Sequence, residues 1–183
     1  MTNSASQSTS THLTPQLFAF EVPSSENLAF IPLSVRFHLD RHGLRISLTD
    51  WQGLPLEVRM RLASYAVEDE GDEAEELIAD IGTSEPSRNN EAFAAELAAW
   101  MIQYVGHPPD TETPPLTMPG EDLATVPDGV IHQCTLAGLP PVATNDWVRL
   151  SRFQRYALAK LSRKTSANHD FLPALNEFGL GRQ

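Results

Sequence analysis

Trp147-Val-Arg-Leu-Ser-Arg-Phe-Gln-Arg-Tyr-Ala-Leu-Ala-Lys-Leu-Ser-Arg163, followed by Asp170-Phe-Leu-Pro-Ala-Leu-Asn-Glu-Phe-Gly179, reads as two amphipathic helices. Ser151 is placed to cap the first, which runs through Arg163. Its inner side carries Tyr156 or Ala157, Leu158 and Leu161, and its outer face is expected to carry Arg152, Arg155, Lys160 and Arg163. Helical pairing of this kind points to a mainly α protein.

A third helix is the clearest. Phe93, Leu97, Trp100, Met101 and Tyr104 form a core-facing stripe, with Asn89 or Asn90 placed to cap it and Gly106 and Pro108-Pro109 to end it. Upstream, Pro55 opens a helix through Glu57, Arg59, Leu62 and Tyr65, while Thr49 or Asp50 caps a short turn bearing Trp51. The stretch before these is ambiguous. Ile31, Leu33, Val35, Phe37 and Leu39 alternate with polar residues, as do Leu44, Ile46 and Leu48, and this is the period of a β-hairpin turning at Asp40–Gly43. Pro32 also suits a first helical turn and Gly43 a left-handed helix stop, and an isolated hairpin is marginal in water. The helix is preferred, with a short hairpin near residues 33–48 left open.

The expected organisation is a Ser/Thr-rich disordered tail over 1–15 and one compact helical bundle over 16–183. Within it lie an acidic segment at 68–80, with eight carboxylates, and a proline-rich loop at 107–141 with one helical turn near Ile131. The net charge of −11 is unevenly spread: residues 1–61 sum to zero, residues 62–148 to −16 and residues 149–183 to +5. An acidic middle repels phosphate backbones, so no nucleic-acid partner is expected. No run reaches the ~18 apolar residues of a membrane span and no secretory signal is recognisable, so a cytoplasmic location is expected. The single cysteine, Cys134, cannot form an internal disulfide.

Catalytic signals are sparse. His38 and His42 have metal-ligand spacing on a helix but no third ligand, and the expected metal is none. His132 with Cys134 reads as an inert buried thiol beside a loop histidine, and His107 as a helix-end group. The carboxylates of 68–80 read as a solvated face, without the shielding that acid–base chemistry needs. Trp51, Trp100 and Trp147 read as core anchors, and the arginine row either binds an anionic partner or neutralises the acidic segment.

Phe18-Ala-Phe-Glu21, Ile31-Pro-Leu-Ser-Val-Arg-Phe-His-Leu-Asp40 with Gly43-Leu-Arg-Ile-Ser-Leu48 and Trp51, Leu150-Ser-Arg-Phe-Gln-Arg-Tyr-Ala-Leu-Ala-Lys-Leu-Ser162 and Phe171-Leu-Pro-Ala-Leu-Asn-Glu-Phe178 together resemble the nitrate reductase-associated protein family. The resemblance covers residues 17–62 and 147–179, with the acidic run and the proline-rich loop outside it. It implies a non-enzymatic accessory protein, with no catalytic residues and no cofactor of its own. The implied partner is assimilatory nitrate reductase, which needs a molybdenum cofactor and an iron–sulfur cluster, or the machinery that assembles that cofactor. Arg36, Trp51, Arg152, Arg155 and Arg163 are the expected docking residues, since interfaces use charge and aromatics. The alternative is a carrier of a molybdopterin-type anion that uses the same arginines.

Overall fold

The computed structural model describes residues 14–67 and 86–181. The acidic segment 68–80 and most of the expected tail, residues 1–13, lie outside the described residues. Two 3₁₀ turns, Ala19–Ser24 and Glu26–Leu28, lead into α1 (Leu33–His42), β1 (Leu44–Arg45), α2 (Leu48–Gly53), α3 (Leu56–Ala63) and α4 (Pro86–Tyr104). Then come β2 (Asp110–Thr111), α5 (Asp128–Leu136), α6 (Thr144–Arg149), α7 (Arg152–Leu161) and α8 (Phe171–Glu177). The architecture is mainly α, with one two-stranded antiparallel ladder.

Residues 33–42 resolve the ambiguity in favour of helix. A helix turns by about 100° per residue, so Val35 and Leu39 share one side while Leu33 and Phe37 share the opposite side. Both sides are buried. Val35 and Leu39 pack with Trp51, Leu54, Val58, Leu62, Phe93, Leu97 and Met101. Leu33 and Phe37 pack with Val67, Met118, Phe153, Tyr156 and Ala157. The strand-like alternation is therefore the mark of a helix sandwiched between two cores, with Arg36 left on its exposed strip. The extended residues after Gly43 pair far downstream, Leu44 with Thr111 and Arg45 with Asp110.

Helix α7 is the second central element. It turns Phe153, Tyr156 and Ala157 towards α1 and Leu158 towards a third cluster formed by Val126, Val130, Cys134, Trp147, Leu150, Phe171, Ala174 and Leu175. Two capping boxes fix α2 and α7: Ser47 Oγ accepts from Asp50 N–H at 3.0 Å, and Ser151 Oγ accepts from Gln154 N–H at 3.2 Å, each with the reciprocal bond present. The cap of α2 is therefore Ser47, with Asp50 serving as the return acceptor. Helix α4 starts at Pro86, ahead of Asn89 and Asn90. The turn near Ile131 is a nine-residue helix, α5, because Val130 and Cys134, one turn apart, both enter the third cluster.

Two glycines permit close approaches. Gly43 (φ +61°) stops α1, its N–H bonding to the carbonyls of Asp40 and Leu39, and a side chain there would meet the Glu112 carbonyl. Gly120 (φ +78°) lies against α7, where an added Cβ would stand 2.5 Å from the Arg155 carbonyl oxygen. Gly120→Ala should cost about 2 kcal/mol through left-handed strain and overpacking, measured by urea unfolding.

Two glutamates tie the amino-terminal turns down. Glu21 accepts from the N–H groups of Phe18 (3.1 Å) and Leu33 (2.9 Å), reaching the first turn of α1. Burial pushes its pKa up despite these bonds. Glu177 of α8 accepts from Ala19 and Phe20 N–H at 2.8 and 3.0 Å.

Candidate functional site

Two residues expected on the docking surface are interior. Trp51 is 0% exposed, and its indole N–H donates to the Leu28 carbonyl at 2.7 Å. Arg155 is 9% exposed, with Nε donating to Gly120 O at 3.0 Å and Nη1 to Leu150 O. The expected outer arginine face is thus corrected. Helix α7 is covered on both sides by hydrophobic clusters, which leaves too narrow an exposed strip for the whole row. Burial lowers the Arg155 pKa, and neighbouring Arg152 adds to that shift. Arg155→Lys should cost about 1.5 kcal/mol of stability, because an ammonium cannot reproduce the fork to two carbonyls. Equal denaturation midpoints would contradict this internal role.

Arg152 is also engaged within the fold. Its Nη2 lies 2.7 Å from Glu121 Oε1, and its guanidinium sits 5.7 Å from the Phe37 ring centroid. Arg36 and Arg163 remain exposed. They come together across the α1–α7 junction, lining one cleft of about 480 Å³ with Asp40, Arg45, Glu112 and Lys160. A second cleft, of about 420 Å³, also contains Ile31, Arg36 and Lys160, and is lined further by Phe20, Phe30 and Lys164.

Asp40 holds the floor of this region. It accepts from Tyr156 Oη at 2.9 Å and from Lys160 Nζ at 2.6 Å, linking α1 to α7. Burial, then the adjacent Asp40 charge, pushes the Tyr156 phenol far above its ordinary pKa. Burial lowers the Lys160 pKa; Asp40 opposes this, while Arg163 and Arg36 add to it. Arg45 is spent on Glu112, at 2.5 Å. Among the described residues, Arg36 and Arg163 make no ion pair with a carboxylate, although Arg36 Nε donates to Ile31 O at 3.0 Å. Phe30, on the rim, is 57% exposed. Composition alone did not reveal the roles of Asp40, Lys160 and Phe30; their signal was the position of Asp40 one turn after Arg36 on the same helix.

The other candidates occupy structural positions. His38 is buried, with its ring 4.7 Å from that of Phe93 in a stacked arrangement. The buried Cys134 thiol has its pKa raised by desolvation. His132 Nε2 lies 3.1 Å from Thr165 O, and His107 Nε2 lies 3.5 Å from Asp50. Trp147 is buried and donates to Asp122 O at 2.9 Å. Among the described residues no group of three His, Cys, Asp or Glu side chains could hold a metal ion, and no helix is long and apolar enough to cross a membrane.

Comparison with known proteins adds one finding. The family model described as the conserved nitrate reductase-associated protein matches residues 17–81 and 71–178. The match runs through both the acidic segment and the proline-rich loop, so the middle of the chain belongs to the family pattern too, contrary to the narrower resemblance read from the sequence. No curated protein matches, and no solved structure matches. With its two matched stretches spanning nearly all of the described fold, the chain belongs to the conserved nitrate reductase-associated protein family.

Proposed function

We propose that this protein is a non-enzymatic accessory factor that docks on assimilatory nitrate reductase, or on its molybdenum-cofactor assembly machinery, during assembly or cofactor insertion. The observation that carries the reading is the exposed strip of Arg36, Arg163 and Lys164 beside Phe30, where neither arginine forms a salt bridge among the described residues. Cations that the fold does not neutralise steer association with an acidic surface, and a neighbouring aromatic supplies apolar contact area. Trp51, Arg152 and Arg155 act behind this strip, holding the helices that present it. The family's description as nitrate reductase-associated supports this choice of partner. The residues best suited to nucleophilic or acid–base work are committed to packing or backbone contacts, which favours docking over catalysis.

Affinity capture from nitrate-grown cells tests this. Arg36→Glu with Arg163→Glu should reduce recovered reductase by about tenfold or more, because each reversal replaces attraction by repulsion at the contact. Both residues are exposed, so the thermal unfolding midpoint should stay close to that of the wild type. Full recovery by a correctly folded double variant would remove this strip from the interface.

A further inference from the structure

We infer that the cleft between α1 and α7 is a binding site for a small phosphate-bearing molecule, gripped by Arg36, Lys160 and Arg163. The cleft and its neighbour measure about 480 and 420 Å³ and share Ile31, Arg36 and Lys160. Each falls within the roughly 300–1,000 Å³ typical of small-molecule sites.

The charge is unbalanced in one direction. The first cleft carries four cations, Arg36, Arg45, Lys160 and Arg163, against two carboxylates, Asp40, engaged by Lys160 and Tyr156, and Glu112, engaged by Arg45, while Glu21 and Asp170 line the neighbouring cleft beside Arg36, Lys160 and Lys164. The positive charges of Arg36 and Arg163 both weigh on Lys160. A bound oxyanion relieves that mutual repulsion, and guanidinium forks match the spacing of phosphate oxygens. The site is also held in place. Asp40 fixes the ammonium of Lys160, and the Ile31 carbonyl anchors Arg36 through Nε, leaving its terminal nitrogens for a ligand.

The walls suggest what the phosphate is attached to. Ile31, Leu39, Leu44 and Ile46 make one side of the first cleft apolar. In the second, Phe20, Phe30 and Leu161 stand beside Lys164. A phosphorylated molecule with a flat or ring-shaped body would place its anion at the shared arginine and its body against Phe30.

Calorimetric titration of the isolated protein with inorganic phosphate and with pyrophosphate, at constant ionic strength, tests the assignment. Saturable binding is expected, with pyrophosphate the tighter ligand. Arg36→Gln and Arg163→Gln should each weaken binding by about tenfold, whereas Arg149→Gln, at an exposed residue that does not line either cleft, should leave it unchanged. A non-saturating effect shared by all variants would be general salt exclusion and would overturn the site. Binding of a glutamate-rich peptide without binding of either phosphate would overturn it too, by making the cleft a peptide groove. The inference stands apart from the docking reading, since loss of reductase capture and loss of phosphate binding are separate measurements.

Discussion

Trp51→Ala is expected to cost about 4 kcal/mol of folding free energy, the upper range for truncating a buried aromatic. Trp51 is 0% exposed and packs among Leu28, Val35, Leu54, Val58 and Leu97. Its indole also supports an unusual backbone. Asn27 and Leu28 both have positive φ, +57° and +48°, in a region that side-chain-bearing residues visit at a cost of about 1–3 kcal/mol. The Leu28 carbonyl is fixed there by two donors, Trp51 Nε1 at 2.7 Å and Arg59 Nη1 at 2.9 Å. Removing the indole leaves a cavity and one donor fewer on a strained turn. Trp51→Phe should cost far less, about 1 to 2 kcal/mol, because the ring volume is largely kept and Arg59 still reaches the carbonyl. Denaturant unfolding of the two variants separates a core anchor from a docking residue. A fully stable Trp51→Ala protein would return Trp51 to the surface.

Acidification should act through His38. Its imidazole is 1% exposed, surrounded by Phe37, Tyr65 and Phe93, and neither ring nitrogen meets a partner at hydrogen-bond geometry. Desolvation lowers its pKa to about 4, with the backbone at Tyr65 and Ala66 opposing the shift and the positive charges of His42 and Arg41 adding to it. In the unfolded chain the group titrates near 6.5. The unfolded state therefore binds the proton first as the pH falls, and folding stability drops between about pH 6.5 and 4. The full loss is roughly 3 kcal/mol. Glu21, whose pKa is raised, acts with the opposite sign, so the comparison must be between proteins that share it. His38→Leu should hold its stability across the window where the wild type loses it. Parallel stability profiles of the two proteins between pH 7 and 4 would contradict the assignment.

The sequence disclosed most where one physical demand acted alone. Ser151 before an apolar-periodic run and Gly43 before the apolar Leu44 follow from capping and backbone conformation, and both are found; the stripe on α4 holds for Phe93, Leu97 and Met101, with Trp100 half-buried and Tyr104, at the end of the helix, exposed. It misled where two demands overlapped. The alternation from Leu33 to Leu39 belongs to a helix buried on two sides, and an arginine one turn into α7 is interior because a distant loop offers it the Gly120 carbonyl. Trp51 likewise could be placed only once the Leu28 turn was known to receive its N–H. The cationic site depends on two helices more than a hundred residues apart, as the Asp40–Lys160 pair shows, and no local pattern encodes that approach.

Purified protein titrated calorimetrically with purified nitrate reductase, with and without its molybdenum cofactor, tests the docking account most directly. The account predicts saturable binding that is tighter to the cofactor-free form, weakens with added salt and falls about tenfold or more in the Arg36→Glu, Arg163→Glu variant. Absence of binding to either form, or an affinity untouched by that double reversal, would contradict it.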